Sequence, residues 1–105
     1  MQHKMWEIVE EEAYKTNCKD RAVGCVIYDT MAQDIVGKGH NQHIDTECDC
    51  DTAKTAIHAE AAAIANIHSK RLKAHLIAFV NHKPCCKCVS LLDEVVSEVR
   101  YRSQK

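Results

Sequence analysis

The spacing of apolar residues along the chain predicts helices that alternate with strands. Apolar side chains recur every three or four residues in some segments, which predicts helices, and form short β-rich or alternating runs in others, which predicts strands. In chain order the predicted elements are a helix at 5–14, strands at 22–28 and 35–40, a helix at 53–69, a strand at 75–80, a helix at 84–96 and a strand at 98–102. The polar stretch 41–52 has neither period and is predicted to be the longest loop.

This order of elements predicts an α/β fold with a mixed sheet of about four strands. The first two strands are separated by a short polar turn, which predicts an antiparallel hairpin. The later strand-helix-strand-helix-strand order predicts parallel pairing, with helices that cover the sheet. A chain of 105 residues without a linker-like stretch is expected to form one domain, residues 1–105.

Composition and charge narrow the possible functions. A formal net charge of -1 gives no overall basic surface for nucleic acid. No apolar run approaches the ~20 residues of a membrane span, and the first residues lack the apolar stretch of a signal peptide, so we expect a cytoplasmic protein. Seven cysteines, an odd count without an export signal, argue against a disulfide framework, and the seven histidines beside them favour metal binding.

Two short motifs carry the candidate chemistry, H-A-E at 58–60 and P-C-C-K-C at 84–88. His58, Cys85 and Cys88 are zinc-ligand types, and cysteines spaced i and i+3 on a helical turn point the same way. Three protein ligands leave the fourth zinc position open for water, as in catalytic zinc sites. Glu60 is then placed to carry a proton from that water rather than to bind the metal.

Each of these residues has a simpler interpretation when it is taken alone. His58 could be a surface histidine of a helix, Glu60 a solvated carboxylate, and the cysteine pair half of a closed four-ligand zinc site. Their joint occurrence, with a predicted strand between the two motifs, favours the catalytic site. Cys25 and Cys86 are expected to be packing residues rather than ligands.

These motifs, together with A-V-G-C-V-I at 22–27 and G-H-N at 39–41, resemble those of the zinc-dependent cytidine deaminase superfamily. The similarity is greatest to the deoxycytidylate deaminase branch and covers about residues 17–102. It implies a three-layer α/β/α fold that is short at its C-terminal end. It also implies hydrolytic deamination of a cytosine nucleotide, with conversion of dCMP to dUMP and ammonia as the expected reaction.

The resemblance also implies several substrate-binding residues. Asn41 matches the asparagine with which deaminases of this superfamily contact the substrate. The backbone amide of Cys85 or of its neighbours is expected to hold the hydrated intermediate, and Ala59 is a further expected substrate-binding residue. His82 and Lys83 could meet a substrate phosphate, or they could form a solvated strand end, and the sequence favours neither interpretation.

The acidic segment 44–51 raises the question of a second zinc ion. Cys48 and Cys50 form a C-x-C pair, and with Cys18 and His43 they could build a structural zinc site. Some deoxycytidylate deaminases carry such an additional zinc. The alternative is a flexible acidic loop with reduced, unbound thiols, because C-x-C is a weaker metal signal than C-x-x-C.

Two rival functions belong to other classes. One is a deaminase that acts on a base within nucleic acid, against which the lack of a basic surface argues. The other is a non-catalytic zinc-binding assembly or regulatory protein, which the short C-terminal end favours and Glu60 argues against. The last predicted strand leaves a free sheet edge, so we expect a homo-oligomer in which a partner subunit closes the pocket.

Overall fold

The computed structural model describes residues 2–16, 22–43, 56–67, 73–82 and 86–101. The helices are α1 (Gln2–Ala13), α2 (Ala59–Ala65) and α3 (Cys86–Asp93), and a short 3-10 turn covers Lys73–His75. The strands are β1 (Gly24–Asp29), β2 (Asp34–His40), β3 (Gln42–His43), β4 (Ala56–Ile57), β5 (Leu76–Val80) and β6 (Glu98–Tyr101). None of the helices in the described part of the chain combines the length and apolar character that crossing a membrane requires.

The main sheet has the strand order β2-β1-β5-β6 and is mixed. β1 pairs antiparallel with β2 on one side and with β5 on the other, while β5 and β6 run parallel. The predicted hairpin and the parallel pair at the end of the chain are therefore present. The β2-α2-β5 crossover differs from the simplest expectation, because it passes over β1 and joins two strands that are not neighbours.

Helices cover both faces of this sheet, as predicted for a three-layer α/β/α fold. On one face Met5 and Val9 of α1 pack in a cluster with Val26 and Phe79. The opposite face packs against α2 and α3 in a larger cluster. Because strand residues alternate between faces, Cys25 of β1 joins this second cluster whereas its neighbour Val26 joins the first.

Two glycines allow the helices to approach the sheet closely. A Cβ atom on Gly24 would lie 2.4 Å from the carbonyl oxygen of Val9 in α1. A Cβ atom on Gly39 would lie 2.3 Å from the backbone nitrogen of Ala63 and 2.7 Å from the carbonyl oxygen of Ala59, both in α2. Only a residue without a side chain fits at these distances, and the position of α2 on the sheet therefore depends on Gly39.

The structure corrects several predicted element boundaries. The helix predicted over 53–69 is wrong in its first part, because Ala56–Ile57 forms a strand that pairs with Gln42–His43 in a separate two-stranded sheet. The latter pair also places a strand within the predicted loop 41–52. The first and last strands and α3 keep their predicted places with boundaries a few residues different.

Candidate active site

Three residues of the predicted site lie together between α2 and α3. His58 is the N-cap residue of α2 in an extended backbone conformation, and Glu60 lies in the first turn of that helix. Cys88 lies in the first turn of α3. Ligand atoms of these three side chains all lie within 4.8 Å of one another, and the Cys88 Sγ lies 3.3 Å from the His58 Nδ1.

The three side chains differ in their exposure. Glu60 and Cys88 are buried, with exposed fractions of 4% and 5%, whereas His58 is exposed. Burial raises the pKa of Glu60 above its ordinary value of 4.5, although its backbone hydrogen bond and the neighbouring His58 and Cys88 act in the opposite direction. A buried carboxyl group with a raised pKa is suited to accept and return a proton close to neutral pH.

Cys25 lies in β1 beneath this cluster and is fully buried. Burial, followed by the charges of Glu60 and Cys88, raises the pKa of the Cys25 thiol well above its ordinary value of 9.0. Cys25 is therefore held as a neutral thiol in the core that α2 and α3 share, in agreement with the packing role expected from the sequence.

The donor atoms of the cluster fit a zinc ion. Imidazole nitrogen and cysteine sulfur are the donors that zinc prefers, and both are present here within contact distance of each other. Helix N-termini also favour thiolate over thiol, and Cys88 lies in the first turn of its helix. Cys85, the third predicted ligand, lies outside the described residues.

The predicted substrate residues lie at the ends of strands that flank this cluster. Asn41 directly follows β2, and its side-chain Oδ1 accepts a hydrogen bond of 3.0 Å from the backbone N–H of Val23. His82 is half-buried just after β5, and Ala59 is buried between His58 and Glu60. The carboxyl ends of β2 and β5 thus meet beside the start of β1.

Most of the second zinc site predicted from the sequence lies outside the residues that the structure describes. Cys18, Cys48 and Cys50 lie outside the described residues, as does the acidic segment around them. His43 is described only as a backbone position in β3. The second site stays a prediction.

Asn81 lies beside the candidate site and was not predicted from the sequence. It follows β5 directly, is 1% exposed and has a side chain hydrogen-bonded to the backbone of Ala22, before β1, and of Gly24, the first residue of β1. The available signal was an amide residue placed at the end of a fully apolar strand, where a buried polar group needs partners.

Comparison with known families identifies the chain. Residues 1–101 match the family described as the cytidine and deoxycytidylate deaminase zinc-binding region. The chain belongs to the cytidine and deoxycytidylate deaminase family. The membership predicted from the two motifs is thereby confirmed, as is the prediction of a zinc-dependent deaminase. Comparison of this deaminase with curated protein sequences gives no significant match.

Solved structures of deaminases share the fold. The dCMP deaminase from the cyanophage S-TIM5 in apo form is 25% identical, with a TM-score of 0.75 over 92% of this chain and 78% of that chain. The same phage enzyme in complex with dCMP and dUMP is 23% identical, with a TM-score of 0.81 over 99% of this chain and 82% of that one. A mutant cytidine deaminase from Mycobacterium tuberculosis is 18% identical, with a TM-score of 0.63 over 91% and 83% of the two chains.

Proposed function

We propose that this deaminase hydrolyses the exocyclic amine of a free cytosine nucleotide, with dCMP as substrate and dUMP and ammonia as products. The observation that carries the proposal is the buried carboxyl group of Glu60 beside His58 and Cys88. The likeness to a phage dCMP deaminase supports the choice of a nucleotide substrate.

His58, Cys88 and Cys85 are proposed as the ligands of one catalytic zinc ion. When bound, such a zinc ion acts as a Lewis acid that lowers the pKa of a coordinated water to about 7. Of the proposed ligands, His58 and Cys88 already lie in contact, each held by the first residues of a helix. A second, structural zinc ion at Cys18, His43, Cys48 and Cys50 remains part of the proposal.

Glu60 is proposed as the proton carrier. Its carboxylate accepts one proton from the attacking water and delivers it to the ring nitrogen, then accepts the second proton of that water and delivers it to the departing amine, so that the net products are uracil nucleotide and ammonia. Its burial excludes bulk water from the carboxyl group and raises its pKa above the ordinary value, which makes the group a better proton acceptor. The nearby Ala59 lies on the same turn and contributes to the wall of the substrate site.

Asn41 and His82 are proposed to bind the substrate. Both follow the carboxyl ends of strands beside the cluster, where the nucleotide would lie between them. Since Asn41 Oδ1 is bonded to Val23, the orientation of this side chain is fixed before substrate arrives. Oligomer formation is also proposed, with a partner subunit closing the pocket over the nucleotide.

The test is ammonia release from dCMP, cytidine, deoxycytidine and cytosine in parallel, with zinc per chain determined on the same sample. We expect turnover of dCMP well above that of the other three, with at least one zinc per chain. Preferential turnover of the free base or the nucleosides would contradict the proposed substrate. No turnover of any of the four would overturn the proposed function.

The rival function on polymeric substrates has its own assay. Single-stranded DNA that contains cytosine and a transfer RNA are added to the same protein, and both deamination and gel mobility are followed at low salt. The net charge of -1 predicts no mobility shift. Deamination of either polymer, with dCMP unchanged, would replace the free nucleotide by a nucleic-acid substrate.

A further inference from the structure

At the end of the sheet where the candidate site lies, the start of β1 is hydrogen-bonded on both sides. Regular pairing of β1 with β5 ends at Cys25 and Val80. Beyond that point the Gly24 N–H and the Ala22 carbonyl oxygen are bonded by a side chain instead. Asn81 stands at this point.

The side chain of Asn81 bonds two backbone groups at this point. Its Oδ1 accepts a hydrogen bond of 2.8 Å from the Gly24 N–H, and its Nδ2 donates one of 3.0 Å to the carbonyl oxygen of Ala22. Its own backbone N–H donates to the Gly24 carbonyl oxygen at 3.3 Å. A carboxamide carries both an acceptor and a donor, so one asparagine can bond backbone groups of two residues, here Ala22 and Gly24.

The opposite side of the same segment is bonded to Asn41. The Asn41 N–H donates to the Val23 carbonyl oxygen at 3.1 Å, and the Val23 N–H donates to Asn41 Oδ1 at 3.0 Å. The segment 22–24 therefore connects the proposed substrate residue after β2 to the residue that begins the connection to α3. Asn81 thus bonds this segment on one side, and Asn41 bonds it on the other.

We propose that Asn81 is a positioning residue for the deaminase reaction. It holds the segment 22–24 between Asn41, which follows β2, and the segment after β5 that leads to His82 and Cys88. This inference rests on the proposed function. Asn81 touches no reacting atom in this proposal. Substitution of a residue that orients metal ligands without binding the metal itself commonly lowers metal affinity or activity by about 10–100-fold.

The test compares Asn81→Ala and Asn81→Ser with Asn66→Ala as the matched control. The side-chain Nδ2 of Asn66 also donates a hydrogen bond, of 2.8 Å, to a backbone carbonyl oxygen, that of Lys38. Asn66 lies at the C-terminal end of α2, away from Glu60. The melting temperature of each variant is measured first. The kcat and KM for dCMP and the zinc affinity are then measured at a temperature well below the lowest of these melting temperatures.

We expect Asn81→Ala to lower kcat/KM for dCMP and the zinc affinity by about 10–100-fold. Asn81→Ser, whose hydroxyl can still donate and accept but is on a shorter side chain than the carboxamide, should lie between Asn81→Ala and the wild type. Asn66→Ala should change the melting temperature but neither other quantity. Because serine is the milder change, it keeps the comparison available if Asn81→Ala does not fold.

Two results would overturn the proposal. One is a kcat/KM and a zinc affinity within twofold of wild type in a folded Asn81 variant, whatever its melting temperature. The other is an equal loss in the Asn66 control, which would make the effect general to lost stability. If the wild type turns over no cytosine nucleotide, the proposed function fails, and the zinc affinities still decide whether Asn81 positions the ligands.

Discussion

At the scale of single residues, the carboxyl group of Glu60 carries the proposed proton transfer. Glutamine has nearly the same size and can still form hydrogen bonds, but it cannot carry a proton. We expect Glu60→Gln to lower kcat for dCMP by about 10²–10⁴-fold, while zinc stays bound. Ammonia release and zinc content, measured on the same sample, check both parts.

A matched control for this substitution is Glu7→Gln, which removes a carboxyl group from an exposed position of α1. It should leave both quantities unchanged. Loss of zinc from Glu60→Gln would assign Glu60 to the metal rather than to the proton. Unchanged kcat in that variant would remove Glu60 from the chemistry altogether.

The residues differ in how far the sequence could place them. His58, Glu60 and Cys88 could be grouped from the joint occurrence of the two motifs, although the helix predicted over 53–69 did not place His58 at a helix start, where the structure has it. The role of Asn81 depends on where the pairing of β1 with β5 stops. That point is set by contacts between residues far apart in the chain, which apolar periodicity does not contain.

At the scale of elements, α2 is the part of the sequence prediction that needed most correction. Its alanine-rich sequence predicts a long helix, and of the described residues 56–67 the helix comprises Ala59–Ala65. Ala56–Ile57 pairs instead with Gln42–His43, so that tertiary pairing overrides helix propensity there. The result places His58 at the junction of strand and helix, with its backbone extended.

A short helix of this kind depends on packing for its position, and Gly39 supplies the closest contact. We expect Gly39→Ala to destabilise the protein by about 1–3 kcal/mol, because the new methyl group overlaps the backbone of α2. Since α2 carries His58 and Glu60, kcat for dCMP should fall as well. Urea unfolding and steady-state kinetics on the same preparation measure the two effects.

Lys38→Ala is the matched control, because Lys38 precedes Gly39 in β2 and its side chain is exposed. Its substitution should change stability by less than about 0.5 kcal/mol. If Gly39→Ala proved as stable and as active as Lys38→Ala, the close approach of α2 to β2 would not fix the site.

At the scale of the whole molecule, an ion-paired cluster joins the α1 layer to the sheet. Glu12 of α1 is 5% exposed, and its Oε2 lies 2.8 Å from the Nδ1 of His40 in β2. Lys15 contacts the other carboxylate oxygen at 3.1 Å. Burial acts to raise the pKa of Glu12, but the hydrogen bonds and charges of His40 and Lys15 outweigh it, and the pKa lies below its ordinary value of 4.5.

This pKa shift predicts a pH dependence of stability. A carboxyl group whose pKa is lower in the folded chain stabilises the fold above its unfolded pKa, and the contribution is lost as the pH falls through the folded pKa. We expect the difference in unfolding free energy between wild type and Glu12→Gln to be largest above about pH 5 and to shrink at lower pH. Urea unfolding at several pH values measures it.

Glu11→Gln provides the comparison for this pH series, since Glu11 is the exposed neighbour of Glu12 on α1. It removes the same nominal charge without touching His40 or Lys15. A loss of stability in Glu11→Gln equal to that in Glu12→Gln would assign the effect to net charge. A difference for Glu12→Gln that did not shrink at low pH would contradict the role of its ionised form.

The layered fold could be predicted because a mixed sheet with helices on both faces follows from element order and apolar pattern. The contact of α2 with α3 at the cluster of His58, Glu60 and Cys88 is a property of the whole molecule, and it could not be predicted from the element order. A zinc ion at His58 and Cys88 would join the first turns of two helices whose contact is otherwise carried by packing. Zinc should therefore stabilise the fold as well as serve catalysis.

Zinc removal provides the measurement of this coupling. A ligand that binds only the folded state stabilises it by about 4 kcal/mol when its free concentration is a thousandfold above its Kd. We expect chelation to lower the melting temperature of the wild type, and added zinc to restore it. In His58→Ala, which lacks one proposed ligand, the chelator should cause a smaller shift. Equal melting temperatures with and without chelator, in wild type that has demonstrably lost its zinc, would separate the metal from the stability of the fold and confine its role to chemistry.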